Sequence, residues 1–480
     1  MLEKLRRLDA YRLEVPQDYK PGMNTKGIIY VDETLEKDLE KESIEQIANV
    51  ASLPGIIGDA IAMSDIHSGY GFPIGGVAGF DIKNGIISPG GVGYDINCGV
   101  RLLRTELFRH DIDKKLKELV IGLYREIPSG VGSKGRLKLG PDDEKKLVTG
   151  GAQWAVKRAF GDASDLEYIE SGGCLEGVDG SAISKKAYER GRNQQGTLGS
   201  GNHFLEIQEV VEVYEPHIAD VFGIYKGQIT VMIHTGSRGF GHQICTDFID
   251  IMKSASKKYG YELRDKELSC APFKSPEGQD YFNAMKAAAN YAWANRQIIM
   301  HWTREVFIDV LKISPRSLSM NLIYDVAHNI AKIERHIING KRCELIIHRK
   351  GATRAFNPRH PELPDRYKSY GQPVILPGDM GRASYLLIGT DEAMRQTFGS
   401  TSHGAGRKMS RGQAIKNAKG RSILSELEQK GIIVMASGKE TIAEEMPDAY
   451  KDISQVVNVV NNAGISRKVA KMRPLGVVKG

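Results

Sequence analysis

Short β-branched runs that stop at glycine or at a polar residue set the terms on which this chain folds. QITVMIH (228–234), MNLIYDVAH (320–328), CELIIHRK (343–350) and GIIVMAS (431–437) are brief and rich in residues that fit a pleated surface, so they predict buried strands. Glycine supplies 53 of the 480 residues and gathers in 55–101, 129–140, 172–201 and 399–412, where backbone can pass close to a ligand. Helical periodicity covers 37–52, 111–126, 142–159, 280–312, 412–430 and 450–462, the longest of these stopping before Pro315. Strands and helices come in clumps, without steady β-α-β alternation. The expectation is an α+β fold, not a Rossmann fold: several mixed sheets with surrounding helices in one domain over 1–480, carrying a helical insertion at about 245–318.

Composition narrows the class without naming a function. A hydrophobic share of 41% suits a soluble globular chain, and a net charge of +7 permits a polyanionic partner without requiring one. The cysteines Cys98, Cys174, Cys245, Cys270 and Cys343 are scattered and form no C-x-x-C pair, which argues against a disulfide framework and for the cytoplasm. No apolar run nears the roughly 18 to 20 residues of a membrane helix, so neither export nor anchoring is expected. GxxxxGK[ST] and KxDG are both missing, which excludes a Walker phosphate cradle and the lysine nucleophile of the usual DNA and RNA ligases.

Of twelve histidines, three share a kind of position. His234 ends QITVMIH before TGSRG, His328 ends MNLIYDVAH before Asn329, and His203 follows GSGN at the start of HFLEIQEV. One strand-end histidine is ordinarily a hydrogen-bonded core residue; three in like places point to ligands at the mouth of a sheet. YDINCGVR adds Asp95 and Cys98, three apart in a glycine-flanked turn able to aim a carboxylate and a thiolate at one point. Such a set mixes soft and borderline donors, suited to zinc, manganese or cobalt, and a thiolate can bridge two ions about 3.5 to 4 Å apart. In TSHGAGRKMSR (401–411), His403 stands among small residues, open to a large reagent, with Arg407, Lys408 and Arg411 to neutralise phosphate. Nucleophile, ligand, general base and loop filler are all compatible with that spacing. KMSR is similar to the phosphate loop of class I tRNA synthetases, but without a HIGH-like partner the likeness is coincidental.

Taken together, these stretches resemble the RtcB family of GTP-dependent RNA ligases. The resemblance runs through SDIHSGYGFPIGGV (64–77), GVGYDINCGVR (91–101), GTLGSGNHFLEI (196–207), HTGSRGFGH (234–242), YDVAHN (324–329), HRKGATRAF (348–356), LPGDMG (376–381) and TSHGAGR (401–407). It implies an enzyme that joins RNA 2′,3′-cyclic phosphate or 3′-phosphate ends to 5′-hydroxyl ends, as in tRNA splicing and RNA repair. Two manganese ions would be held by Asp95 and His203 on one side and His234 and His328 on the other, bridged by Cys98. His403 would attack the α-phosphate of GTP and carry GMP, which passes to the RNA 3′-phosphate before the 5′-hydroxyl displaces it. The GTP pocket would comprise Asn202, Phe204, Leu205, Glu206, Asn329, Pro377, Gly378, Asp379, Met380, Ser384, Gly404, Ala405, Gly406 and Lys479. Period-two geometry suits part of this, since Phe204 and Glu206 share the strand face opposite His203.

The resemblance also implies RNA, tRNA halves above all, and the activator archease as partners, with no membrane. Arg238, Arg407, Arg190 and Arg411 are the expected phosphate contacts. Asp65 and His67 are expected near the site, as orienting neighbours or as RNA contacts, because ligating histidines usually have an orienting carboxylate behind them. The remaining histidines, His110, His217, His242, His301, His336, His348 and His360, read as structural or surface residues, with His348 alone open to RNA. Asn97 departs from the family wording, standing where glycine is often found. Two rivals use the same residues: a binuclear metal phosphoesterase with His403 as general acid, and a non-catalytic RNA-binding protein with a structural metal. The first would form no covalent nucleotide. An aromatic content of 7% and the lack of RRM or KH signatures count against the second.

Overall fold

Between Ala327 and Asn329 the chain leaves one sheet and enters another, and His328 is the residue at the crossing. In the computed structural model, which describes residues 4–480, a seven-stranded sheet runs Arg6–Asp9, Arg12–Val15, Gly27–Tyr30, Ile56–His67, Ile74–Asp81, Lys341–Lys350, Asn329–Ile338. An eight-stranded sheet runs Asn321–Ala327, Gly99–Phe108, Gln228–Thr235, Phe204–Val213, Ser466–Lys479, Ser384–Gly389, Pro373–Leu376, with Ile433–Ala436 branching from Ser466–Lys479. Only Gly27–Tyr30 with Ile56–His67, and Ile433–Ala436 with Ser466–Lys479, pair in parallel within these two sheets. Short pairs, Ile86–Ile87 with Ala271–Pro272 and Ala352–Arg354 with Ser400–Ser402, complete the mixed α+β architecture.

Local chemistry explains where the elements begin and end. Strands form at three of the expected runs with their buried character intact, whereas Ile433–Ala436, a branch off the sheet, stays half-buried along its length. The helix expected over 412–430 is two, Arg411–Ala418 and Ile423–Gln429, because Gly420 between them takes φ 78°, which no helix continues. The long helix is Pro276–Leu311, capped by the Ser275 hydroxyl accepting from Gly278 N–H. It ends at Lys312 in the left-handed region (φ 57°), and Pro315 opens the next short helix instead of stopping this one.

Residues 245–318 hold most of two helices, Arg238–Lys258 and Pro276–Leu311. From Ala287 to Met300 the second is buried on every side, packed on Gln228–Thr235 and on helices Pro141–Lys157 and Arg238–Lys258. Its buried polar residues therefore need partners inside the protein. Asp325 supplies one set: it accepts from Arg101 Nε at 2.8 Å and from Arg296 Nε and Nη2 at 2.8 Å each, with all three side chains at 0% exposure. Removing one member of a buried pair strands the others' charge, at about 3–5 kcal/mol. Asp325→Asn should therefore lower stability by that amount, seen as a drop in the denaturant midpoint, while Asp309→Asn, at the exposed end of the long helix, leaves it unchanged.

Candidate active site

The loop that carries Asp95 and Cys98 is shaped by one unusual residue. Asn97 adopts φ 52°, a conformation glycine takes freely and asparagine tolerates better than most, which accounts for both residues occurring there. Its backbone N–H donates to Asn329 O at 2.7 Å, and His328 N–H donates to Cys98 O at 2.9 Å. The loop is thereby tied to the sheet crossing. His234 lies opposite Val100 and Phe204 in the eight-stranded sheet, and His203 immediately precedes Phe204. Five side chains distant in sequence thus meet at one seam.

Their geometry brings these side chains within hydrogen-bond distance of one another. His203 Nδ1–H donates to Leu198 O at 2.9 Å, so in the neutral ring Nε2 presents a lone pair to Asp95 Oδ2 at 2.8 Å. His234 Nε2 and His328 Nε2 lie 3.2 Å apart, and Cys98 Sγ sits 3.2 Å from His234 Nε2 and 3.4 Å from His203 Nε2. Asp95, Cys98 and His203 form one group and Cys98, His234 and His328 a second, each with ligand atoms within 4.8 Å of one another. Burial drives the imidazoles of His234 and His328 well below their usual range, keeping both neutral. Burial, then Asp95, pushes the Cys98 thiol up; a cation at Sγ reverses this and stabilises thiolate. One sulfur, three nitrogens and one carboxylate, in two groups that share Cys98, offer the mixed donor set that suits a borderline metal ion.

His403 stands beside this cluster, its ring centroid 5.0 Å from that of His328. The fully buried Asp65 accepts through one oxygen from His403 Nδ1 at 2.6 Å, His403 N–H at 2.8 Å and Gly404 N–H at 3.2 Å. Burial alone would raise the Asp65 pKa, but His403 more than offsets it, so the group stays a carboxylate. Asp65 therefore backs His403 and none of the three clustered histidines. With Nδ1 committed, Nε2 is the nitrogen left to the cavity. The small residues around His403 serve packing: a Cβ on Gly406, which has φ 70°, would come within 2.3 Å of Asp65 O. His67, in the same wall, donates from Nδ1 to Asp65 O at 2.9 Å, and burial lowers it to about 4.

The cavity before His403, about 200 Å³, is lined by Asn202, Phe204, Asn329, Pro377, Gly378, Asp379, Met380, Gly404, Ala405, Gly406 and Lys479, together with ligands Cys98, His234 and His328. Lys479 Nζ lies 5.5 Å from the Phe204 ring centroid and 3.7 Å from Glu445. Leu205 points into the core at 0% exposure. Glu206 and Ser384 border the cavity without lining it, joined through Gln208 Nε2, which donates to Glu206 Oε2 at 2.8 Å and to Ser384 Oγ at 3.2 Å, and burial raises Glu206 to about 7. Ile74, Gly351, Glu445 and Tyr450 also line the cavity and were not singled out as site residues in the sequence. Ile74 and Gly351 carried a signal, since they fall inside SDIHSGYGFPIGGV and HRKGATRAF; Glu445 and Tyr450 carried none. His348 in that stretch is fully buried and accepts from Ser88 N–H at 3.2 Å, which closes it to RNA.

The four arginines separate. Arg407 lines the first cavity with every nitrogen engaged: Nε donates to Met409 O, Nη1 to Glu445 and Tyr450, Nη2 to Glu444 O. Arg190, Arg238 and Arg411 line a second cleft of about 630 Å³ that includes Asp95 and His203. Asn202 and Arg411 belong to both spaces, so the two meet at the ligand cluster.

Comparison with known proteins agrees with the geometry. A family profile described as tRNA-splicing ligase RtcB matches residues 46–480. Proteins named tRNA-splicing ligase RtcB from Archaeoglobus fulgidus and Thermococcus kodakarensis are each 53% identical to this chain, over 99% of both partners. The one from Methanococcus maripaludis is 53% identical over 97% of both. With likeness of that extent and degree, the chain belongs to the tRNA-splicing ligase RtcB family.

Proposed function

We propose that this protein is an RNA ligase that joins 2′,3′-cyclic phosphate or 3′-phosphate ends to 5′-hydroxyl ends, with GTP as cosubstrate, two manganese ions as cofactors and tRNA halves as substrates. One observation carries the reading: an imidazole backed at Nδ1 by a buried carboxylate at 2.6 Å, beside two donor groups that share the Cys98 sulfur. A phosphoesterase needs no such nucleophile. His403 Nε2 forms a bond to the α-phosphorus of GTP as the bond to pyrophosphate breaks. An oxygen of the RNA 3′-phosphate then takes that phosphorus from Nε2, and the 5′-hydroxyl oxygen attacks the RNA phosphorus, losing its proton and expelling GMP. Asp65 holds the ring in the tautomer that leaves Nε2 unprotonated and stabilises the charge it gains. Asp95, Cys98, His203, His234 and His328 would hold the manganese, which when bound would supply Lewis acidity to neutralise phosphoryl charge and lower the pKa of water. Phe204 stacks on guanine, Glu206 accepts from its edge, and Lys479 and the backbone of 377–380 and 404–406 hold the rest of the nucleotide. Arg190, Arg238 and Arg411 meet RNA phosphate, while Arg407 fixes the wall.

Incubation with labelled GTP and manganese should give an acid-labile adduct that His403→Ala abolishes, and the protein should ligate 3′-phosphate RNA to 5′-hydroxyl RNA with GTP but not ATP. Hydrolysis of RNA ends with no adduct would replace this reading with the phosphoesterase. Asp65→Asn keeps the shape and removes the charge, so adduct formation should slow roughly 10- to 100-fold in single-turnover assays with the circular dichroism spectrum unchanged. Glu206, at about 7, is protonated below that pH and charged above it. Guanine N–H groups need the charged acceptor, so selectivity for GTP over ATP should rise with pH through about 7 and level off above, and Glu206→Gln should flatten the profile.

A further inference from the structure

The second cleft contains a feature that phosphate binding does not use. Tyr94 and His242 line it with their rings tilted against each other, centroids 4.9 Å apart at 32°, and behind them Tyr70 meets Tyr94 edge-on at 5.5 Å and 63°. The ladder runs outward: Tyr70 and Tyr94 are half-buried, and the imidazole of His242 is exposed. Arg190 Nη1 donates to Gln243 Oε1 at 2.9 Å and stands 3.4 Å from His242 Nδ1, which sets a cation at the edge of the outermost ring. At about 630 Å³ against about 200 Å³, this cleft is the roomier of the two and suits a polymer end better than a mononucleotide.

Geometry of displacement says which end. In an in-line reaction the attacking and leaving oxygens lie on opposite sides of phosphorus. Under the function proposed above, GMP leaves into the cavity of His403, so the 5′-hydroxyl must approach from the far side of the ligand cluster, where the second cleft opens. We propose that His242, backed by Tyr94, is the stacking platform for the nucleobase of the 5′-hydroxyl strand's first nucleotide, with Arg190 and Arg238 holding that strand's phosphates. Stacking on a ring is tolerant of base identity, as an enzyme that joins different RNA halves requires.

The test uses the full chain, manganese and a 5′-hydroxyl RNA carrying 2-aminopurine or an abasic site at its first position. His242→Ala should leave the rate of GMP attachment to the enzyme unchanged and raise KM for the 5′-hydroxyl strand by roughly 5- to 100-fold, and His242→Phe should restore it. Quenching of the 2-aminopurine on binding, which needs no turnover, should be lost in His242→Ala and kept in His242→Phe. With the abasic strand, native protein and His242→Ala should perform alike, because the ring has nothing to stack on. Equal KM for the two proteins on the intact strand, or an equal loss on intact and abasic strands, would overturn the platform. If native protein forms no GMP adduct yet quenches 2-aminopurine through His242, the ligase reading fails and the platform stands.

Discussion

Everything at the seam hangs on one guanidinium. Arg296, fully buried, has five N–H groups and uses all of them: two on Asp325, two on the carbonyl oxygens of Asn97 and Thr235, one on the Asn97 side chain. Those partners belong to the three segments that deliver Cys98, His234 and His328. A buried cation is costly unless every donor is met, so any drift of one segment leaves a charge-assisted bond unmade and raises the energy steeply. Lysine has three donors and no planar fork, and cannot reach all three segments at once. The ligand groups are therefore positioned from behind, by the long helix that carries Arg296.

The same economy of partners distinguishes three of the histidines at the seam. His203 spends Nδ1 on a main-chain carbonyl, which fixes its tautomer with little added charge. His328 Nδ1 is buried without a partner, and burial keeps that ring neutral. His403 alone has a carboxylate behind Nδ1. A main-chain carbonyl orients a ring and leaves its other lone pair free; a buried carboxylate also stabilises positive charge on the ring, as the proposed nucleophile requires.

This difference was not legible beforehand, since Asp65 lies 338 residues from His403. The sequence did show that polar rings sit at the ends of buried strands, because strand propensity and turn chemistry are local. It showed too that 401–411 is a small-residue loop, but the reason is the close approach of the Asp65 strand, a contact only tertiary packing creates. Arg407 read as a phosphate contact from its neighbourhood; its partners, Glu445, Tyr450 and Glu444 O, lie in a segment with no glycine cluster or motif to mark it. Helix limits failed where a single left-handed residue, Gly420 or Lys312, outweighed a favourable apolar pattern.

Asn202 and Arg411 line both spaces, so under the proposed function they are where nucleotide and RNA would meet. Both are exposed, unlike Cys98, His203, His234 and His328 between them, so they can shift while the cluster stays fixed. Rigid donors and mobile rim residues divide the work by energy. Moving a ligand means breaking buried bonds to Arg296, whereas moving Arg411, 3.9 Å from Glu444, costs only a loose and solvated ion pair. Successive transfers of one phosphoryl group need both: a centre that keeps its geometry from step to step, and a margin soft enough to admit each new partner.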